Sequence, residues 1–217
     1  MNDFGLYIII TEPVLPHTTI AEICVKNKIK YLQLREKNLS DKENLELARD
    51  IFSICKGSDT KFIVNDNVAI ARLVDADGVH LGQDDLSKED AEIIIKKNSI
   101  VGLSTHNLQQ AEIALAQKPD YIGFGPLYST PTKKIPDPVT GLLPIKKVLE
   151  MSDQAKIPVI GIGGIDETNI NNVLASGIRN IAMVRYFMKS TDFANRLISM
   201  KNLISDYQER RKNDNNK

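Results

Sequence analysis

Side chains able to hold phosphate and metal stand in short groups along this sequence. Gln33, Arg35 and Lys37 alternate, which puts them on one side of an extended segment. Arg offers a planar fork for phosphate oxygens and Lys a point charge, so an anion site is favoured over an edge of solvated charges. Farther on, Asn65-Asp66 and Asp84-Asp85 supply carboxylates. Asp66 together with Asp85 suits Mg²⁺, which takes one or two carboxylates and completes its shell with substrate phosphate oxygens and water. Taken alone, Asn65-Asp66 could equally cap the short helix that follows. Gly161-Ile162-Gly163-Gly164 lacks the third glycine of a dinucleotide fingerprint, but glycines after a strand let backbone amides approach a monophosphate. Two anion subsites emerge: one with Arg35, Lys37, Lys133 and a metal, the other with the glycine loop, Thr130 and Thr132.

The remaining reactive residue types carry less. His80 alternates into a strand and reads as a packed, hydrogen-bonded residue. His106 has the chemistry of an acid–base group but no partner visible in the sequence. Cys24 and Cys55 form neither a C-x-x-C pair nor a metal spacing with histidine, and read as buried reduced thiols.

These groups need a scaffold that brings them together. Short apolar runs at Leu6–Thr11, Tyr31–Leu34, Phe62–Val64, Val79–Leu81, Ile100–Leu103, Tyr121–Phe124, Val159–Ile162 and Asn180–Val184 alternate with helix-period segments, the pattern of βα units in a parallel sheet. Helix starts are legible at Ser40-Asp41-Lys42-Glu43, a capping box, and similarly at Ser87-Lys88-Glu89-Asp90 and Asn107-Leu108-Gln109-Gln110. Eight units imply a closed (β/α)₈ TIM barrel, although an open doubly wound sheet has the same local pattern. In a barrel every polar group named above falls on the C-terminal face, where this fold builds its active sites. The Gly125–Leu143 connection is long, rich in Pro and Gly and without period, so it reads as a phosphate-binding lid. Residues 1–208 are expected to form the single barrel domain, and 209–217, which lack apolar groups after Tyr207, a disordered tail.

Bulk composition narrows the partners. Among 217 residues, 28 basic side chains balance 28 acidic ones, so no global field favours nucleic acid or an anionic membrane, and bound anions must be held locally. No apolar stretch approaches a bilayer span and no secretory leader pattern is present, which gives a cytoplasmic expectation. The expected partners are small-molecule substrates, without nucleic acid or membrane; a homo-oligomer is compatible with the sequence.

Several motifs in order carry a family resemblance: Gln33-Leu34-Arg35-Glu36-Lys37, Val64-Asn65-Asp66, the run Asp77 to Asp85, Gly102 to His106, the run Gly123 to Lys134, and Gly161 to Ile165. Over roughly residues 6 to 190 the chain resembles the thiamine phosphate synthase family. The resemblance implies an Mg²⁺-dependent transferase that joins 4-amino-2-methyl-5-(diphosphooxymethyl)pyrimidine to a thiazole phosphate, or to its carboxylated precursor, by dissociative loss of diphosphate. It implies Asp66 and Asp85 as metal ligands and Arg35, Lys37 and Lys133 as catalytic cations. The implied substrate-binding set is Gln33, Leu34, Arg35, Glu36, Lys37, Asn65, Ser104, Thr130, Pro131, Thr132, Lys133, Gly164, Val184 and Arg185. Within that set Gln33, Arg35, Lys37, Asn65, Ser104 and Lys133 would hold the pyrimidine diphosphate. Thr130, Thr132, Gly164, Val184 and the amide of Arg185 would hold the thiazole phosphate. The chain departs from the family at Glu12, where Asp is usual, and at Arg185, where a small hydroxyl residue is common; the Arg185 side chain is expected to point outward. A thiazole tautomerase of the same superfamily would not need the carboxylates or the Gln33-Arg35-Lys37 group, and a non-catalytic phosphate-binding barrel would show no turnover.

Overall fold

A computed structural model describes residues 3–130 and 138–215. Eight short apolar segments, bounded by turn residues, are the strands: β1 (Leu6–Ile10), β2 (Tyr31–Leu34), β3 (Lys61–Asn65), β4 (Gly78–Leu81), β5 (Ile100–Thr105), β6 (Tyr121–Phe124), β7 (Val159–Ile162) and β8 (Asn180–Met183). All pair in parallel in sequence order, and β8 returns to β1 through Leu6↔Ile181, Tyr7↔Ala182 and Ile8↔Met183, closing the barrel. Closure excludes the open doubly wound sheet and brings all strand C-termini to one mouth. Among the described residues no helix is long and apolar enough to cross a membrane.

Alternation along each strand separates two cores. On β1, Leu6, Ile8 and Ile10 pack outward under the helices, whereas Tyr7 and Ile9 join Tyr121, Ile160 and Ala182 in an inner cluster. That interior is aromatic: Tyr7, Tyr31 and Tyr121 lie with ring centroids 5.6–5.8 Å apart. Tyr121 occupies the space beside Gly102, where an added Cβ would meet its ring at 2.1 Å, so a side chain at 102 would displace it.

The helices are α1 (His17–Lys26), α2 (Asp41–Cys55), α3 (Val68–Leu73), α4 (Lys88–Ile94), α5 (Leu108–Ala116), α6 (Ile145–Ala155), α7 (Ile170–Ala175), α8 (Arg185–Met188) and α9 (Phe193–Asn215). Ser40, Ser87 and Asn107 cap α2, α4 and α5 as their sequences foretell, each side chain accepting the amide three residues on. Asn67 caps α3, accepting from the Ile70 amide at 2.9 Å, so Asn65 and Asp66 are released from the capping role they could have had. The tail expected from residue 209 is helical as far as Asn215. Buried Phe193, Leu197, Met200 and Ile204 anchor α9, and the following Glu, Arg and Lys residues are good helix formers that extend it. Cys24 and Cys55 are free and buried; burial pushes Cys24 well above its ordinary pKa and Cys55 up to about 12, which keeps both thiols protonated and inert.

The capping box of α2 also fixes the loop that carries Arg35 and Lys37. Glu43 closes it by accepting the Ser40 amide at 2.8 Å, and Asn44 donates to the Glu36 carbonyl at 3.0 Å. Ser40→Ala is expected to cost about 1 kcal/mol, a fall in Tm of roughly 2–4 °C for a chain of this size. Thermal melts of the two proteins check this, and an unchanged Tm would mean that the loop holds its shape without the cap.

Candidate active site

The barrel mouth holds a cavity of about 430 Å³. Of the residues singled out in the sequence, Arg35, Ser104, Thr130, Gly164, Val184 and Arg185 line it, together with His106. Gln33 lies below the cavity, only 2 % exposed, with its amide nitrogen 2.9 Å from the Tyr7 hydroxyl. Leu34 packs in the outer core beneath the helices, so only its backbone faces other tasks. Glu36 is committed to the scaffold: one carboxylate oxygen accepts the Glu12 amide at 2.8 Å and lies 2.7 Å from His17 Nε2. Glu12, in the left-handed region with φ 43°, is further held by Asn38 on its carboxylate and by Lys189 on its carbonyl at 2.8 Å. This brace between the first two strand ends was not apparent in the sequence. Pro131, Thr132 and Lys133 lie outside the described residues. Beyond them, Thr140 ties its end of the Gly125–Leu143 connection to the Pro126 carbonyl through both amide and hydroxyl, each at 2.9 Å.

Lys37, Asn65, Asp66 and Asp85 are not among the residues that line this cavity; they gather at the ends of β2, β3 and β4. Pairing of β3 with β4 sets Asn65 opposite His80, and Asp66 continues that ladder by donating its amide to the His80 carbonyl at 2.8 Å. Asp66 adopts φ 59°, and its carboxylate meets Lys37 and Asp85. Asp85 accepts the Gly82 amide at 2.6 Å. Partial desolvation first, then the hydrogen bond shared with Asp66, raises the Asp85 pKa, and the Asp66 charge adds to the effect; the Gly82 amide and Lys37 oppose it. Each carboxylate so placed disfavours ionisation of the other, and a cation between them relieves this. Two carboxylates could hold Mg²⁺ and would leave room for phosphate oxygens and water; among the described residues no group of three or more His, Cys, Asp or Glu is placed to hold a metal.

The opposite side is built from backbone. Gly163 and Gly164 have φ 97° and 64°; an added Cβ would lie 2.4 Å from Pro126 and 2.6 Å from the Ser129 carbonyl. Hydrogen bonds Leu127 N–Ile162 O and Tyr128 N–Gly163 O, at 2.9 and 3.0 Å, hold the two loops together. With Val184 and the start of α8, where the Phe187 and Met188 amides already donate to the Val184 carbonyl and those of Arg185 and Tyr186 precede them, this wall suits an anion held by N–H groups. Arg185 was expected to point to a neighbouring helix or subunit. It is exposed and lines the cavity, and among the described residues nothing pairs with its guanidinium. His106 Nδ1 lies 2.6 Å from the Gly125 carbonyl, a contact in which the nitrogen must donate.

Known proteins resemble this chain in sequence and in fold. The sequence profile of the thiamine monophosphate synthase family matches residues 6–187. A thiamine-phosphate synthase of Persephonella marina is 40 % identical over 210 residues, spanning 94 % of this chain and 98 % of that protein. One from Methanospirillum hungatei is 40 % identical over 195 residues, 88 % of this chain and 93 % of its own. The solved structure of a thiamine phosphate pyrophosphorylase from Pyrococcus furiosus superposes with a TM-score of 0.82 at 30 % identity, covering 95 % of this chain and 98 % of that one.

The carboxylate pair has a measurable consequence for stability. A raised pKa means that the folded protein holds the Asp85 proton more tightly than the unfolded chain does. Its contribution is therefore fully present below the ordinary carboxylate pKa and is lost as pH rises through the folded value. In chelator at pH 7, Asp85→Asn is expected to raise Tm, and the gain should shrink as pH falls toward about 4. A Tm gain that does not depend on pH would show that the two carboxylates do not repel.

Proposed function

Because the chain belongs to the thiamine monophosphate synthase family and makes thiamine phosphate, we propose that it does so by an Mg²⁺-assisted transfer of a pyrimidine group from diphosphate to a thiazole phosphate. The substrates are 4-amino-2-methyl-5-(diphosphooxymethyl)pyrimidine and a 4-methyl-5-(2-phosphoethyl)thiazole or its carboxylated form. The observation that carries this reading is the pairing, at one mouth, of a cation-demanding carboxylate site beside Lys37 with an amide-lined wall at Gly163-Gly164. A diphosphate and a monophosphate can then lie side by side. A tautomerase acting on one thiazole phosphate has no use for the acidic side.

Asp66 and Asp85 would hold the metal; when bound, Mg²⁺ neutralises charge that develops on the departing diphosphate. Arg35 lines the cavity and Lys37 stands beside Asp66, which supports a role for both in stabilising the same charge. Lys133 joins them on the strength of the family resemblance. By the same resemblance Gln33, Asn65 and Ser104 would belong to the set that holds the pyrimidine diphosphate; of the three, Ser104 lines the cavity. The C–O bond to diphosphate breaks with its electron pair leaving on oxygen, and the electron-rich ring supports the benzyl-type cation that remains. The thiazole nitrogen lone pair then forms the new C–N bond. No protein nucleophile is required. Thr130, Thr132, Gly164, Val184 and Arg185 hold the thiazole phosphate, and the Gly125–Leu143 connection serves as the lid that excludes water.

The test is incubation with both substrates, with and without Mg²⁺, following thiamine phosphate and diphosphate. The reading expects equimolar products that appear only with both substrates and are suppressed by chelator; turnover of the thiazole phosphate alone would overturn it. In the same assay Arg185→Ser is expected to raise KM for the thiazole phosphate at least about tenfold, as loss of a charge-assisted contact would, with KM for the diphosphate substrate unchanged. A rise below about threefold would leave that phosphate to backbone donors alone.

A further inference from the structure

Beneath the cavity a chain of side-chain hydrogen bonds crosses the barrel. Gln33 Nε2 lies 2.9 Å from Tyr7 Oη, Tyr7 Oη 2.8 Å from Tyr121 Oη, Tyr121 Oη 3.1 Å from His80 Nδ1, and His80 Nε2 2.8 Å from Ser104 Oγ. Five residues from β2, β1, β6, β4 and β5 thus form one path. Its two tyrosines are fully buried, and desolvation holds both hydroxyls protonated far above their ordinary range. The His80 ring stacks on Tyr121, with centroids 5.5 Å apart and planes at 12°.

The path has a direction. An amide nitrogen can only donate, so Tyr7 Oη accepts from Gln33; its own fully buried hydrogen, costly to leave unpaired, then has Tyr121 Oη as its acceptor. By the same rule the buried Tyr121 hydroxyl, having accepted, gives its hydrogen to His80 Nδ1. A ring whose Nδ1 accepts is neutral with its hydrogen on Nε2, and that hydrogen goes to Ser104 Oγ. Ser104 lines the cavity, so its own O–H remains to be given to a ligand.

We propose that Tyr7, Tyr121 and His80 are positioning residues that act on the pyrimidine substrate through Ser104, holding its hydroxyl as a donor to a ring nitrogen that carries a free lone pair. The inference rests on the reading that Ser104 meets the pyrimidine, and it adds a reason for buried polar groups that touch no substrate. A neutral azine edge satisfies the Ser104 donor; an edge presenting N–H at that point sets two donors against each other. A site arranged to donate discriminates by leaving its buried polar group unpaired with the wrong ligand.

Two measurements test it. The ¹⁵N shifts of the His80 ring read the direction: protonated Nε2 with unprotonated Nδ1 is expected, and the opposite tautomer overturns the proposal. Steady-state kinetics of Ser104→Ala, Tyr121→Phe and the double variant read the coupling. Ser104→Ala should raise KM for the pyrimidine diphosphate about tenfold and Tyr121→Phe about threefold or more. The double variant should match Ser104→Ala within about twofold, with KM for the thiazole phosphate unmoved throughout. Multiplying effects in the double variant would assign Tyr121 a packing role and overturn the relay. No change in Ser104→Ala alone would instead remove the reading of Ser104 as a pyrimidine ligand, and the relay with it. Tyr7→Phe cuts the same path one link earlier and must show the same non-additivity, which serves if Tyr121→Phe does not fold.

Discussion

Asp66 and Asp85 share a hydrogen bond at the ends of neighbouring strands, and burial together with that closeness raises the Asp85 pKa, a cost of ionisation that a bound cation would relieve. The surrounding structure holds them there nonetheless. Pairing of β3 with β4 brings the two strand ends together, the left-handed turn at Asp66 follows directly from the end of that ladder, and the Gly82 amide fixes Asp85. Asn67 takes over the capping of α3, so the Asp66 carboxylate is not consumed by a helix end. Lys37, brought across from the end of β2, offsets part of the repulsion.

The rest of the mouth complements that acidic side. Barrel closure sets the Gly163-Gly164 turn and the start of α8, which line the cavity, at strand ends four places around the barrel from β3 and β4, and backbone donors replace side chains there because no Cβ fits. Beneath both, one polar path crosses the interior, and each link on it lies within hydrogen-bond distance of the next. Buried hydroxyls left unmatched would each cost about 1–3 kcal/mol, so the path is stable as a whole or not at all. Glu36, His17, Glu12 and Lys189 brace the loops above.

The strands were legible because each is a short apolar run between turn residues, and the observed limits extend or trim the expected ones by no more than two residues. The caps at Ser40, Ser87 and Asn107 were legible because a short polar acceptor precedes each helix. In Asn65-Asp66-Asn67 three successive residues could each cap, and composition does not choose among them; backbone direction does. Glu36 stands out of phase with Gln33, Arg35 and Lys37, a sign in the sequence itself that its carboxylate faces another way, toward His17. The relay was hidden for a different reason. Tyr7, His80 and Tyr121 sit in separate strands, and only closure of the barrel turns alternation along each strand into contact across the interior. Arg185 depends on side-chain direction, which strand order does not determine.

The central claim is that this mouth offers two protein carboxylates to a metal and leaves the remaining coordination to a diphosphate. Calorimetric titration of Mg²⁺ into the protein, with and without inorganic diphosphate, tests it most directly. Allowing for the affinity of Mg²⁺ for free diphosphate, the account predicts weak binding of Mg²⁺ alone and an affinity at least about tenfold greater with diphosphate present, a coupling of about 1.4 kcal/mol or more. Equal affinity in the two titrations, or tight binding that survives Asp66→Ala together with Asp85→Ala, would contradict it.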